Sequence, residues 1–283
     1  MIASRLRQLR QAGLALAAIF VTTHAFAADE SPWDGDARSA ARLVAGIPTR
    51  GEGTTLRAGV EIRLAPGWKT YWRYPGDSGV PPTFDFAQSS NVASATVLWP
   101  APHRFGDGNG QSIGYDHNVI FPVHVVAKDP AQPVTLRLKL DYAVCEKLCV
   151  PSEANLALEL APPGAQHEAA LAAAEASVPK ASTVGARSNL AITGVRREPG
   201  ERFARVVVDV AAPAGEPVDL FAEGPTPEWA LPVPTPIADG PAGSRRFAFD
   251  LDGVPAGASA QGATLTLTAV TPSSAIAVKA PAE

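Results

Sequence analysis

Val134-Thr135-Leu136-Arg137-Leu138-Lys139-Leu140-Asp141-Tyr142-Ala143-Val144-Cys145 is the stretch that decides the fold. Val134, Leu136, Leu138, Leu140, Tyr142 and Val144 fall on one face; Thr135, Arg137, Lys139, Asp141, Ala143 and Cys145 fall on the other. Strict alternation with one apolar face marks a half-buried β-strand. Working outward, residues 55–64 (TLRAGVEIRL) alternate in the same way, residues 118–126 (NVIFPVHVV) form another strand, and residues 155–160 (NLALEL) read as the returning strand. Together they predict a β-sandwich for the first half of the chain. Cys145 ends one strand on its polar face, where burial of both sulfurs is disfavoured. Cys149 stands across a short loop, at the start of the next strand.

Residues 165–177 (AQHEAALAAAEAS) are the one helical stretch, rich in alanine with acidic residues, and Val178-Pro179 ends it. Residues 180–188 are small and polar and read as a linker. Strand-like runs at 202–210, 218–222, 244–251 and 263–270, separated by Pro/Gly turns, predict a second, smaller sandwich. It holds no cysteine and no cluster of histidines or carboxylates, so no chemistry is assigned to it.

The 283-residue chain carries a formal charge of −4, which argues against a nucleic-acid partner. Charged residues are scarce at 18%, while 27 prolines and 24 glycines supply turns, which suits an all-β protein. One methionine and five scattered histidines argue against a methionine-rich copper protein or a histidine zinc centre. At the amino terminus, Arg5, Arg7 and Arg10 precede an apolar run, residues 12–21, far short of the ~20 residues that span a bilayer. Ala25-Phe26-Ala27 then offers a signal-peptidase site. The reading is a signal peptide at residues 1–27, export to the periplasm, and no membrane insertion of the mature chain. The remaining chain divides into a sandwich at 28–163, helix and linker at 164–187, and a second β-rich domain at 188–283.

Cys145 and Cys149 are the only cysteines. Three readings of the pair stand side by side. As a staple it would be weak, because closing a loop of about five residues contributes only ~2 kcal/mol, against ~3 for fifteen. As a redox dithiol it needs an accessible thiolate and a resolving partner. Two thiolates could also hold Cu(I). Lys147 would favour a thiolate and Glu146 would oppose it.

A resemblance bears on that choice. Trp99-Pro100, Gly110-Gln111-Ser112-Ile113-Gly114-Tyr115, Phe121-Pro122-Val123, and the strand ending in Cys145, followed by Cys149 and Pro151, resemble the periplasmic amino-terminal domain of the thiol:disulfide interchange protein DsbD. Residues 67–79 (GWKTYWRYPGDSG) resemble the ScsB-like, copper-tolerance branch of that family. The resemblance covers roughly residues 32–163 and says nothing of residues 188–283. It implies an immunoglobulin-like β-sandwich whose cysteine pair shuttles electrons without a cofactor or a metal. Cys149 would form mixed disulfides and Cys145 would resolve them. Partners would be thioredoxin-like periplasmic proteins and a separate membrane electron carrier, since no transmembrane or thioredoxin-like part is visible in this sequence. The chain would then act as a component of a protein-disulfide reductase.

This sequence departs from the family pattern in two places. Only three residues separate the cysteines, where the best-known members have five. In residues 104–114, the counterpart of the family's cap loop, Asp107 is kept but Gly108 stands in the place of the capping Phe. Either Phe105 takes over the shielding or the cap is looser. The aromatic cluster Trp68, Tyr71, Trp72 and Tyr74 reads as core or as a loop plug, and Asp77 and Ser78 as turn formers. The main expectation is thiol–disulfide exchange. The rival is a non-catalytic sandwich adaptor with a structural disulfide, serving copper handling or cytochrome c assembly.

Overall fold

The computed structural model describes residues 28–50, 54–106, 110–160, 165–240 and 243–282. Residues 1–27, read from the sequence as a signal peptide, and Asp107 and Gly108 lie outside the described residues. The first sandwich is built from β1 (Asp34–Gly35), β2 (Ser39–Ala45), β3 (Thr49–Arg50), β4 (Thr54–Leu64), β5 (Lys69–Gly76), β6 (Thr83–Asp85), β7 (Val92–Val97), β8 (His103–Gly106), β9 (Gln111–Tyr115), β10 (Val119–Ala127), β11 (Val134–Cys145) and β12 (Cys149–Leu160). One sheet runs β1-β2-β4-β10-β7, with β3 on β4; the other runs β12-β11-β5-β9-β8, with β6 on β11. The architecture is an immunoglobulin-like β-sandwich.

Alternation explains the two layers. Val60 and Ile62 of β4 and Leu136, Leu138 and Leu140 of β11 turn inward to one core. Phe121 forms its centre, with the rings of Trp99, Phe84 and Tyr115 meeting it edge-on at 5.2–5.4 Å, an arrangement that favours aromatic quadrupoles. The returning strand β12 starts at Cys149, six residues before the alternation of residues 155–160 reveals it.

The helix is shorter than its composition predicts: α1 spans Glu168–Ala176 and lies on the outside of the first sandwich. Its Leu171 is fully buried, and Gly59 of β4 makes room for it: a Cβ there would lie 3.2 Å from Leu171 Cδ1 and 2.7 Å from Ile120 Cγ2. Arg57, on the polar side of β4, is therefore buried, and its guanidinium donates to Glu168 at 2.5 Å and to Glu175 at 2.6 and 2.9 Å. A buried cation persists only when paired in this way.

The second sandwich comprises β13 (Lys180–Ser182), β14 (Ala191–Glu198), β15 (Arg205–Ala211), β16 (Asp219–Glu223), β17 (Thr235–Asp239), β18 (Arg245–Asp250), β19 (Thr264–Val270) and β20 (Ala275–Pro281). Its sheets run β13-β20-β19-β16 and β14-β15-β18-β17. Strand β13 lies within the stretch whose composition reads as a linker; it pairs in parallel with β20 as an edge strand. Backbone hydrogen bonding to a strand almost a hundred residues away made it a strand, with no apolar pattern to announce it.

The sandwiches interlock. Phe221 of β16 and Val233 belong to the core of the first sandwich, and the Phe221 ring lies 5.8 Å from that of Trp72. Arg73 forks onto Glu223 at 2.7 and 2.8 Å.

Candidate redox site

Cys145 and Cys149 are joined in a disulfide and are direct register partners at the turn end of the β11–β12 hairpin, with Cα atoms 4.1 Å apart. The loop between them, Glu146-Lys147-Leu148, is exposed. The two sulfurs do not share one environment. Cys145 is 7% exposed, whereas Cys149 is exposed to solvent. The sequence places Cys145 on the polar face of β11, and it does point away from the main core; it is buried because a second, small apolar cluster covers that face. The cluster is Tyr71, Ala143 and Cys145, with Phe105 packed against it.

Strand β5 supplies the cover. Its alternation sends Trp72 and Tyr74 into the main core and Tyr71 to the outer face. The Tyr71 hydroxyl donates to Cys145 Sγ at 2.7 Å and lies 3.3 Å from Cys149 Sγ. Two neighbours fix this placement. Thr70 Oγ1 donates to the carbonyl of Ala143 at 3.0 Å, and Lys69 pairs in register with Cys145. The loop after β5 passes over the Tyr71 ring at Gly79, with φ +114°; a Cβ there would lie 2.2 Å from the ring. Only glycine fits both the backbone angle and the contact.

Phe105 is half-buried on β8, paired with Ser112 of β9. Its ring lies 6.5 Å from that of Tyr71, and Lys69 Nζ sits 4.8 Å over it. Beyond the undescribed residues, Asp77 pins the chain again: its carboxylate accepts the N–H of Gln111 at 2.8 Å, and its own N–H donates to the Gln111 carbonyl at 2.9 Å. Asp77 is thus more than a turn former. Of the residues singled out in the sequence, the fold brings Cys145, Cys149 and Phe105 together. Tyr71 is the side chain that sequence reasoning left in an undifferentiated aromatic cluster. Its signal was present in the alternation of Thr70, Trp72 and Tyr74 against Tyr71 and Arg73.

Leu148, at the hairpin tip beside Cys149, is 79% exposed, and Val80, after Gly79, is 59% exposed. Among the described residues no helix is long and apolar enough to cross a membrane, and no three His, Cys, Asp or Glu side chains converge on a common centre.

The first sandwich is thus immunoglobulin-like and bears a disulfide at the turn of a hairpin, with one sulfur open and one covered. Residues 41–161 match the family model described as thiol:disulfide interchange protein DsbD, N-terminal. The match ends with the first sandwich. The structure is also similar to the crystal structure of the N-terminal periplasmic domain of ScsB from Proteus mirabilis, with a TM-score of 0.69 and 23% identity over 90% of this chain and 98% of that one. That likeness extends the shared fold to the second sandwich. None of the curated proteins matches the chain.

Proposed function

We propose that the chain relays electrons in the periplasm through Cys145 and Cys149, between a membrane reductase system and thioredoxin-like oxidoreductases. The observation that carries this reading is the unequal exposure of the two sulfurs. A thiolate from a reduced partner attacks the open Cys149 Sγ in line with the S–S bond. That bond breaks, a mixed disulfide forms at Cys149, and Cys145 leaves as a thiolate. The Tyr71 O–H, already 2.7 Å from Cys145 Sγ, stabilises the leaving charge; a hydrogen bond to an anion is roughly twice as strong as one between neutral groups. The partner's second thiolate then attacks its own sulfur in the mixed disulfide and releases Cys149 as a thiolate. The partner ends oxidised and the pair reduced by two electrons. Delivery to an oxidised protein is the same sequence reversed, with Cys149 attacking and Cys145 resolving. Phe105 covers the Cys145 side and slows attack by adventitious thiols.

Equilibration of the folded chain with glutathione or dithiothreitol buffers tests the reading. The pair should open without unfolding, at a potential above about −300 mV, below which structural disulfides sit. Cys145→Ala should trap a partner as a mixed disulfide, and Cys149→Ala should trap little. A disulfide that stays closed until the chain unfolds would establish the non-catalytic adaptor instead.

A further inference from the structure

Strand β8, which carries Phe105, is the edge of its sheet: it has four residues and pairs only with β9. A short strand hydrogen-bonded on one side is weakly held. Successive strand residues point to opposite sides, so Arg104 turns away from Phe105 and reaches the second sandwich. Its Nη2 donates to the carbonyl of Leu220 at 3.2 Å and to that of Pro234 at 3.0 Å, and its Nε lies 3.4 Å from Asp219 Oδ1. Leu220 belongs to β16 and Pro234 directly precedes β17, so one guanidinium ties the edge strand to both sheets of the second sandwich. The Arg104 side chain is only 17% exposed, and its guanidinium carbon lies 6.0 Å from the Phe221 ring centre.

We infer that Arg104 is a positioning residue for the disulfide: it fastens β8 to the second sandwich, holds Phe105 against Tyr71 and Cys145, and so makes the second sandwich a determinant of how fast the pair is attacked. This inference rests on the exchange reading and gives a role in it to the half of the chain that carries no cysteine. Freed from the two carbonyls, the edge strand samples positions in which the ring no longer packs on Cys145. The rate then rises through a change in access, with no change at either sulfur.

The test is a double-mutant cycle in the full chain. Reduction of the disulfide by excess dithiothreitol is timed in native buffer for wild type, R104M, F105A and the double variant, with the urea midpoint of each. R104M should be reduced about tenfold faster, the scale set by losing a charge-assisted hydrogen bond, F105A at least as fast as R104M, and the double variant no faster than F105A. R104K keeps the charge but lacks the fork that reaches two carbonyls; its rate should fall between wild type and R104M. If R104M does not fold, R104K with and without F105A carries the same comparison. Wild-type rates in R104M or in F105A overturn the inference. So does an acceleration by R104M that persists undiminished on the F105A background, since Arg104 would then act by general loosening. A disulfide that opens in none of the folded variants overturns the exchange function itself, and the positioning role with it.

Discussion

Each sandwich buries something on the outside of one sheet, and the two burials have opposite consequences. In the first, Ala143 and Cys145 leave the main core and lie under Tyr71 and Phe105. In the second, Val207 and Asp209 occupy the outward positions of β15, whose Val206, Val208 and Val210 face the core. The Asp209 carboxylate is held by Arg246 at 2.7 Å and Arg196 at 2.9 Å. These hydrogen bonds and charges, that of Arg246 foremost, lower its pKa despite the opposing effect of burial. Both patches close over a polar or reactive group. The ion cluster pairs its charges within the second sandwich. The aromatic patch leaves Cys149 exposed, and the proposed exchange begins at that sulfur.

The comparison breaks most visibly at the seam. Phe221 is fully buried, on a strand of the second sandwich but in the core of the first. Phe221→Ala should cost about 3–5 kcal/mol, as other large core truncations do. Urea unfolding followed by tryptophan fluorescence reports both sides through Trp72 and Trp229, and one common midpoint should fall. Two separated transitions with only one displaced would mean that the sandwiches are energetically independent.

Asp209 sharpens the contrast from the other side. Asp209→Asn should cost about 2 kcal/mol at neutral pH, the scale of a hydrogen bond to a charged group. The folded carboxyl has a depressed pKa, so its contribution is full above the unfolded value, about 3.9, and is lost as pH falls through the folded value. The stability gap between variant and wild type should therefore close below about pH 4. Reduction of the disulfide at neutral pH should be unchanged. A gap independent of pH would show that the carboxylate charge is not what matters.

The smallest effect on stability is expected at the hairpin tip. Leu148 is 79% exposed, and Leu148→Ser should change stability by no more than about 0.5 kcal/mol. Reduction by dithiothreitol should keep its wild-type rate, because a small thiol needs no docking surface. Reduction by a thioredoxin-like protein, which must seat against the tip to reach Cys149, should slow several-fold. Faster reduction by dithiothreitol would place Leu148 in the shield and not in the docking rim.

Much of the fold is legible along the chain. The alternation from Val134 to Val144 sets β11, and residues 55–64 and 118–126 set its opposite layer. Two cysteines bracketing a three-residue loop between strands have few ways to avoid facing each other. Strands without an apolar period are not legible: β13 is Lys-Ala-Ser, and β8 is a four-residue edge. The polar face of a strand is likewise polar only until something covers it. Arg57 and Cys145 both lie on such faces, and both are buried, one under α1 and the other under Tyr71.

What the sequence by itself determined is therefore local: which residues alternate, which turn, and that the two cysteines meet across a hairpin turn. Period-two patterning is a property of neighbours along the chain, and it needs no knowledge of what lies across the sheet. Tertiary structure alone decided which sulfur is open. Tyr71 is 74 residues from Cys145 and Arg104 is 116 residues from Leu220. The cover over one cysteine, and the anchor of the strand beside it, exist only once distant strands have paired and the second sandwich has seated its Phe221 in the first.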